Sequence, residues 1–226
     1  MSSTLTAKAL FAWPVHAAVN RLVPKNKIYA HTKPTAALRS LFVTQIEQIT
    51  WAYKLAPETI NLPARPTVPE IDIFELTLKT PELDHAVLRC IDKAMPRPML
   101  FNLRFECRTQ AVAAFKRPSE ANASQWVVGD YHASPWQADS LARPGLPMAL
   151  DLEGLYEQLI RQHLSVPARQ GETLQEQLDR LAELHSKQLL ANKLLHRMAK
   201  EKQFNRKVMM NAELRNLQQS IGKLMD

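Results

Sequence analysis

Proline divides this chain more sharply than any other residue type. All fifteen prolines fall at or before Pro167, and between Gly171 and Gly222 there is neither proline nor glycine. A run of fifty residues without a helix breaker, rich in Leu, Gln, Glu, Lys, Arg and Met, strongly constrains the fold, because those residues favour helix and proline cannot continue one. The sequence therefore reads as two parts, a globular domain over residues 1–167 and a helical, coiled-coil-like arm over residues 168–226.

The arm carries two apolar stripes. Leu174, Leu178, Leu181 and Leu184 begin one that continues through Ala191, Leu194, Leu195 and Met198. Met210, Leu214, Leu217, Ile221 and Leu224 form the second, in the four-three alternation of a coiled-coil seam. The polar stretch from Lys200 to Lys207 interrupts them. Without Gly or Pro at the interruption, the reading is one continuous helix with a phase shift, the alternative being a hairpin that turns near Asn205. An isolated amphipathic helix gains little until its stripe is covered. The second stripe is accordingly the candidate docking surface for a partner.

The first part reads as α+β. Pro14 can open a short helix carrying Val15, Val19 and Leu22. Leu38, Phe42, Ile46, Ile49 and Tyr53 fall at helical spacing over residues 35–55. Residues 70–79 alternate as a strand with Phe74, Leu76 and Leu78 on one face, and Ile71 and Ile73 load the other, which marks a central strand. Thr80-Pro81-Glu82 resembles a helix start, with Leu83, Val87, Ile91 and Met95 as its buried stripe. Strands are expected over 99–106, 110–116 and 125–133, and a helix after Asp151. The expected order is α-α-β-α-β-β-β-α before the arm, giving one mixed sheet with a β-α-β-β-β core covered by helices.

Charge is distributed in zones. Residues 1–60 hold seven Lys or Arg against Glu47 and Glu58, and residues 193–226 hold eight against three acids, so each zone carries +5 of the net +7. Such zones suit phosphate backbones or acidic surfaces. Lys25, Lys27, Lys33 and Arg39 are the candidate nucleic-acid contacts, with weak, sequence-independent binding expected. No run approaches the length of a membrane span, and the N-terminus lacks the pattern of a secretory leader. Cys90 and Cys107 form no disulfide framework, so a reducing cytoplasm is expected.

A search for chemistry returns one constellation. Glu70, Asp72 and Glu75 precede Lys79 on a single strand, and metal-dependent nucleases bring paired carboxylates and a lysine together around Mg²⁺. The usual Asp/Glu-x-Lys is absent, since Thr occupies position 77. A strand-edge ion pair is the favoured reading, and a degenerate nuclease using Glu70, Asp72, Glu75 and Lys79 the alternative. Isolated glycines exclude a phosphate loop, and the seven histidines never pair at ligand spacing. No catalytic residue, cofactor or metal is expected.

Several stretches together resemble a bacterial family known as a domain of unknown function. They are Val19 to Tyr29, Ile49 to Pro57, Glu70 to Lys79, Ile91-Asp92-Lys93, and Glu201 to Lys207. The resemblance covers roughly residues 14–220. It implies a setting beside type III restriction–modification DNA methyltransferases and SNF2-like helicases, and hence antiviral defence. The family has no established activity; an accessory subunit whose arm docks a helicase or methyltransferase partner accounts for the arm, the missing active site and this setting together, with self-association as the other possibility for the arm.

Overall fold

The computed structural model of the protein describes residues 10–119, 121 and 125–225. The N-terminal residues 1–9, on which the leader reading rests, lie outside that set. The chain divides into two compact units, residues 1–163 and 164–226.

The first unit is built on one seven-stranded mixed sheet. A short 3-10 turn at Val15–Ala17 leads into β1 (Ala18–Leu22), so the helix expected after Pro14 ends after a single turn. Helices α1 (Lys25–Thr32) and α2 (Ala36–Gln45) follow, then β2 (Ile46–Leu55), a one-turn α3 (Pro57–Ile60) and β3 (Ile71–Leu78). Helix α4 (His85–Ala94) crosses to β4 (Met99–Phe105), followed by β5 (Arg108–Pro118), β6 (Trp126–Ala133), the short β7 (Gln137–Ala138) and α5 (Leu152–Arg161). Strands β1 to β6 lie side by side in chain order, and β7 adds to β5. Only β3 and β4 are parallel, as a helical crossover requires, and the other pairs are antiparallel.

The expected single helix over residues 35–55 is a helix and a strand. Its second half is β2, where burial recurs at Ile46, Ile49, Ala52 and Leu55, every third residue instead of every second. Two register shifts against β3, between Ile46 and Gln48 and between Trp51 and Tyr53, each insert a residue and break the two-residue alternation. Bulged in this way, a strand imitates helical spacing. Helix α4 also starts later than Thr80-Pro81 suggested. Asp84 caps it, its Oδ1 accepting from the Ala86 N–H at 2.8 Å, because the carboxylate supplies the acceptor that the first turn needs.

Strand β3 is central and buried on both faces. On one face Phe74, Leu76 and Leu78 join Phe101 and Leu103 of β4, Val87, Leu88 and Ile91 of α4, and Phe42 of α2 in the main core. On the other side of the sheet, α5 buries Leu152, Leu155, Tyr156, Leu159 and Ile160, with Tyr156 stacked on Phe115 of β5 at 6.0 Å.

The second unit contains α6 (Leu174–Lys200) and α7 (Phe204–Met225). It is the hairpin, not the continuous helix. The chain leaves helical geometry at Glu201, whose carboxylate Oε1 accepts from the Lys202 and Gln203 N–H groups at 2.9 Å each. A local acceptor does here what Gly or Pro usually does. The energetic reason is the pair of stripes. Ala191 and Leu194 bury against Leu214, with Met198, Met210, Leu217 and Ile221 packed around them. Leu181 and Leu184 bury with Val166, beside Ile221 and Leu224. Leu164 and Val166 thus pack with the arm, and Gln177 donates to the Val166 carbonyl at 2.8 Å.

Candidate nucleic-acid interface

The acidic strand resolves into separate ion pairs. Glu70 meets Arg97 and, at 3.1 Å, Lys54. Asp72 lies 3.9 Å from Arg97. Glu75 pairs with Arg104 at 3.2 Å, and Arg104 continues to Asp139. Lys79 donates to the Val43 carbonyl at 2.9 Å. Alternation along β3 puts Asp72 and Glu75 on opposite faces of the sheet, and nine residues of extended chain put Glu70 and Lys79 about 30 Å apart. The four groups do not converge, so the arrangement a divalent cation needs is not formed by them. Among the described residues no three His, Cys, Asp or Glu are disposed to hold a metal ion. Burial pushes the Asp72 carboxyl up to about 6, partly offset by Trp51 and by the Lys54 and Lys116 charges nearby.

A second polar cluster, not foreshadowed by any motif, joins β5 to α4. Lys116 of β5 and Asp92 of α4 form an ion pair at 3.2 Å with side chains 1% and 3% exposed. Lys116 Nζ also donates to the Asp92 carbonyl at 2.6 Å and to the Met95 carbonyl, and the Tyr131 hydroxyl donates to the Asp92 carboxylate. Tyr156 sits underneath, donating to the Ala114 carbonyl and accepting from the Lys116 N–H. A cavity of about 440 Å³ opens beside this cluster, lined by Arg89, Lys93, Gln125 and Trp126. Lys116 has no spare donor for a ligand there, since its three N–H bonds all point to α4. The clue was legible. Lys116 falls in phase with Val112 and Ala114, which are buried, directly after the apolar run Ala111-Val112-Ala113-Ala114-Phe115.

Lys116 exemplifies a device used repeatedly. The last turn of a helix leaves carbonyls without partners and carries partial negative charge. Lys116 caps α4 in this way, and Lys25 caps α2, donating to Phe42 and Ile46 carbonyls at 2.8 and 2.6 Å. Lys79 reaches the same turn of α2, at Val43. In the second unit Arg180 donates to the Leu224 carbonyl at 2.7 Å, and Arg169 to that of Lys223 at 2.6 Å, closing α7. Five cations of the net charge are therefore engaged with helix-end carbonyls, Lys25 alone among them lying in a basic zone.

The candidate contacts divide accordingly. Lys25 is a helix cap, with its amine held below the usual lysine range by burial and by Lys79. Lys27, Lys33 and Arg39 remain exposed. Tyr29 connects α1 to α2, its ring edge-on to Phe42 at 5.3 Å and beneath the Arg39 guanidinium at 5.3 Å. Lys33 ends α1 in the left-handed conformation, φ 47°, which turns the chain into α2. The face so formed also presents His31, and the first carboxylate in the chain is Glu47.

The candidate docking stripe has a different fate. Met210, Leu214, Leu217, Ile221 and Leu224 face α6 and are occupied by it, Leu214 being 8% exposed. The physical reason is the hairpin, which covers the stripe within the unit. The large apolar residues left exposed there are Leu189, Leu190 and Leu195 on α6 and Phe204, Val208, Met209 and Met225 on α7.

Among the described residues no helix is long and apolar enough to cross a membrane. A family model described as a domain of unknown function (DUF4391) matches residues 11–221. No curated protein and no solved structure matches the chain.

Proposed function

We propose that this chain, which belongs to the family described as a domain of unknown function (DUF4391), is a non-catalytic accessory subunit of a cytoplasmic, restriction–modification-like defence complex. In this reading the sheet unit contacts nucleic acid weakly and without sequence preference. The arm holds a helicase or methyltransferase partner. The observation that carries it is the α1–α2 face, where Lys27, Lys33 and Arg39 stand exposed in a stretch without carboxylates from the first described residue to Ile46. One-signed exposed charge of this kind attracts phosphates at long range and loses its hold with salt. The acidic strand, divided among Lys54, Arg97 and Arg104, argues for structure over nuclease chemistry.

Docking is assigned to the outward Leu189 and Leu190, because the Met210–Leu224 stripe is used by the hairpin itself. Two experiments on the full chain test the reading. Oligonucleotide binding should weaken about tenfold on Lys27→Glu/Lys33→Glu at moderate salt, each lost phosphate contact also lowering the salt dependence. Leu189→Asp/Leu190→Asp should abolish co-purification with the neighbouring helicase or methyltransferase. Binding indifferent to both charge reversals, together with a partner that stays on the double Asp variant, would sink the proposal.

A further inference from the structure

The highest density of uncompensated charge in the protein is at the turn of the helical hairpin. Residues 193–207 contain Lys193, Arg197, Lys200, Lys202, Arg206 and Lys207 against one acid, Glu201. On a continuous helix these would be strung along about 20 Å at 1.5 Å per residue. The break at Glu201 gathers them around the end where α6 stops and α7 begins.

Four details separate this end from an ordinary solvated helix terminus. Lys193, Arg197 and Lys200 recur at i, i+4 and i+7, so they share one face of α6, away from the Ala191–Leu194–Met198 seam. The single acid is committed, its Oε1 to the two turn N–H groups and its Oε2 3.9 Å from Arg206. Lys193, Arg197, Lys200, Lys202 and Lys207 make no side-chain hydrogen bond or ion pair among the described residues, in contrast to the lysines of the sheet unit that cap helices. Phe204, the first residue of α7, is 77% exposed in the middle of the cations.

We infer that the hairpin turn is a single-stranded nucleic-acid contact, in which Lys200, Lys202 and Lys207 hold successive phosphates and Phe204 stacks on an unpaired base. Cations that follow a backbone, with an aromatic ring among them, are what such binding requires, and stacking tolerates any base. An anionic membrane surface is the competing occupant. It needs a continuous apolar face lying in the interface. The hairpin has spent its long stripe on itself, and the apolar surface α7 leaves beside the turn is short, Phe204 and Val208 on one face with Met209 next to them. Nucleic acid fits the charge and the isolated ring. This inference rests on the reading that the protein works on nucleic acid, but it names a different unit of the chain.

The test is fluorescence anisotropy of the full chain with a labelled 15-mer oligothymidylate across a salt series, with vesicles containing phosphatidylserine as a parallel arm. Lys200→Gln/Lys202→Gln/Lys207→Gln should weaken oligonucleotide binding tenfold or more, and should flatten the slope of log K against log salt by about two, at 0.7 per phosphate for single strands. Phe204→Ala should weaken it about fivefold to tenfold with the slope unchanged, since stacking releases no counterions. None of these side chains lies in the seam, so helix content by circular dichroism should hold and report that the hairpin is intact. Tip variants that bind as wild type, while Lys27→Glu/Lys33→Glu abolishes binding, overturn this inference and leave the proposed function standing. A wild-type chain that ignores the oligonucleotide overturns both. Tighter association with vesicles than with the oligonucleotide overturns the nucleic-acid assignment of the tip.

Discussion

Lys116→Met is the most demanding test of the reading given to the buried cluster. Methionine keeps the length and apolar stem of the side chain and removes three donated hydrogen bonds, to Asp92 Oδ1 and to the Asp92 and Met95 carbonyls. Both charged side chains are almost inaccessible to water, so solvent cannot replace what is lost. Breaking a buried pair on one side costs about 3–5 kcal/mol, because the surviving charge is left uncompensated. The orphaned last-turn carbonyls of α4 add to the desolvation penalty, about 1 kcal/mol or more each. An expected loss near 4 kcal/mol is a large part of a domain stability of about 5–15 kcal/mol. Burial already raises the Asp92 carboxyl above its ordinary range, and Lys116 opposes that rise. An acid whose folded-state pKa lies above its unfolded value binds more protons when folded, so stability falls as pH rises through that interval. Removing Lys116 widens the interval, and the penalty should be larger at pH 8 than at pH 5. Urea denaturation of the full chain, followed by tryptophan fluorescence at both pH values, measures this. Asp92→Asn on the Lys116→Met background should recover about half of the loss, since the unpaired charge is gone while the carbonyls remain uncapped. A single variant within 1 kcal/mol of wild type, or a double variant no better than the single, would refute the argument.

Asp72→Asn should stabilise the protein above pH 6 and leave it unchanged near pH 4. The carboxyl, raised to about 6 by burial, costs folding free energy as pH climbs from 4 to 6, up to about 3 kcal/mol over two units; equal melting temperatures for wild type and variant at pH 8 would contradict this. In the arm, the Arg180 guanidinium holds the Glu172 carboxyl down to about 2. A depressed acid contributes stability above its unfolded pKa and loses it as pH falls from about 4.5 towards 2. Arg180→Gln should therefore remove that acid-sensitive step and, by uncapping the Leu224 carbonyl, speed amide exchange in the last turns of α7; exchange as slow as wild type there would count against the clamp.

What could be read in the sequence was local and periodic. Strand β4, helix α5 and the central, double-faced β3 announce themselves by alternation or by an apolar stripe behind a capping Asp. Strand β2 could not be recovered from spacing, because its two bulges replace the period of two by a period of three. The β-favouring run Ile49-Thr50-Trp51-Ala52-Tyr53 was the better guide. The hairpin was hidden for another reason: its turn is made by a glutamate side chain, and turn chemistry is usually sought in glycine and proline. Charge zoning found the basic segments but could not tell which cations were free. Whether a lysine faces phosphate or a helix end depends on contacts seventeen or more residues away, as Lys25 and Phe42 illustrate.

The order of strands in the sheet bears on how the chain acquires its shape. From β1 to β6 every strand is laid beside the one made just before it. Along β1 to β6 no strand is inserted between two earlier ones, the two-residue β7 returning to β5 only after β6 is in place, and the parallel step is bridged by a single helix of ten residues. Pairings between neighbours close short loops, so the entropy lost before each gain is small and assembly is fast for a sheet of this size. The growing edge is always the newest strand. A chain emerging from the ribosome can therefore extend the sheet progressively from its N-terminal side, with the outer edge of β1 and the newest strand as the edges left unpaired. The helical hairpin comes last, and until α7 is complete the apolar side of α6 has nothing to close on.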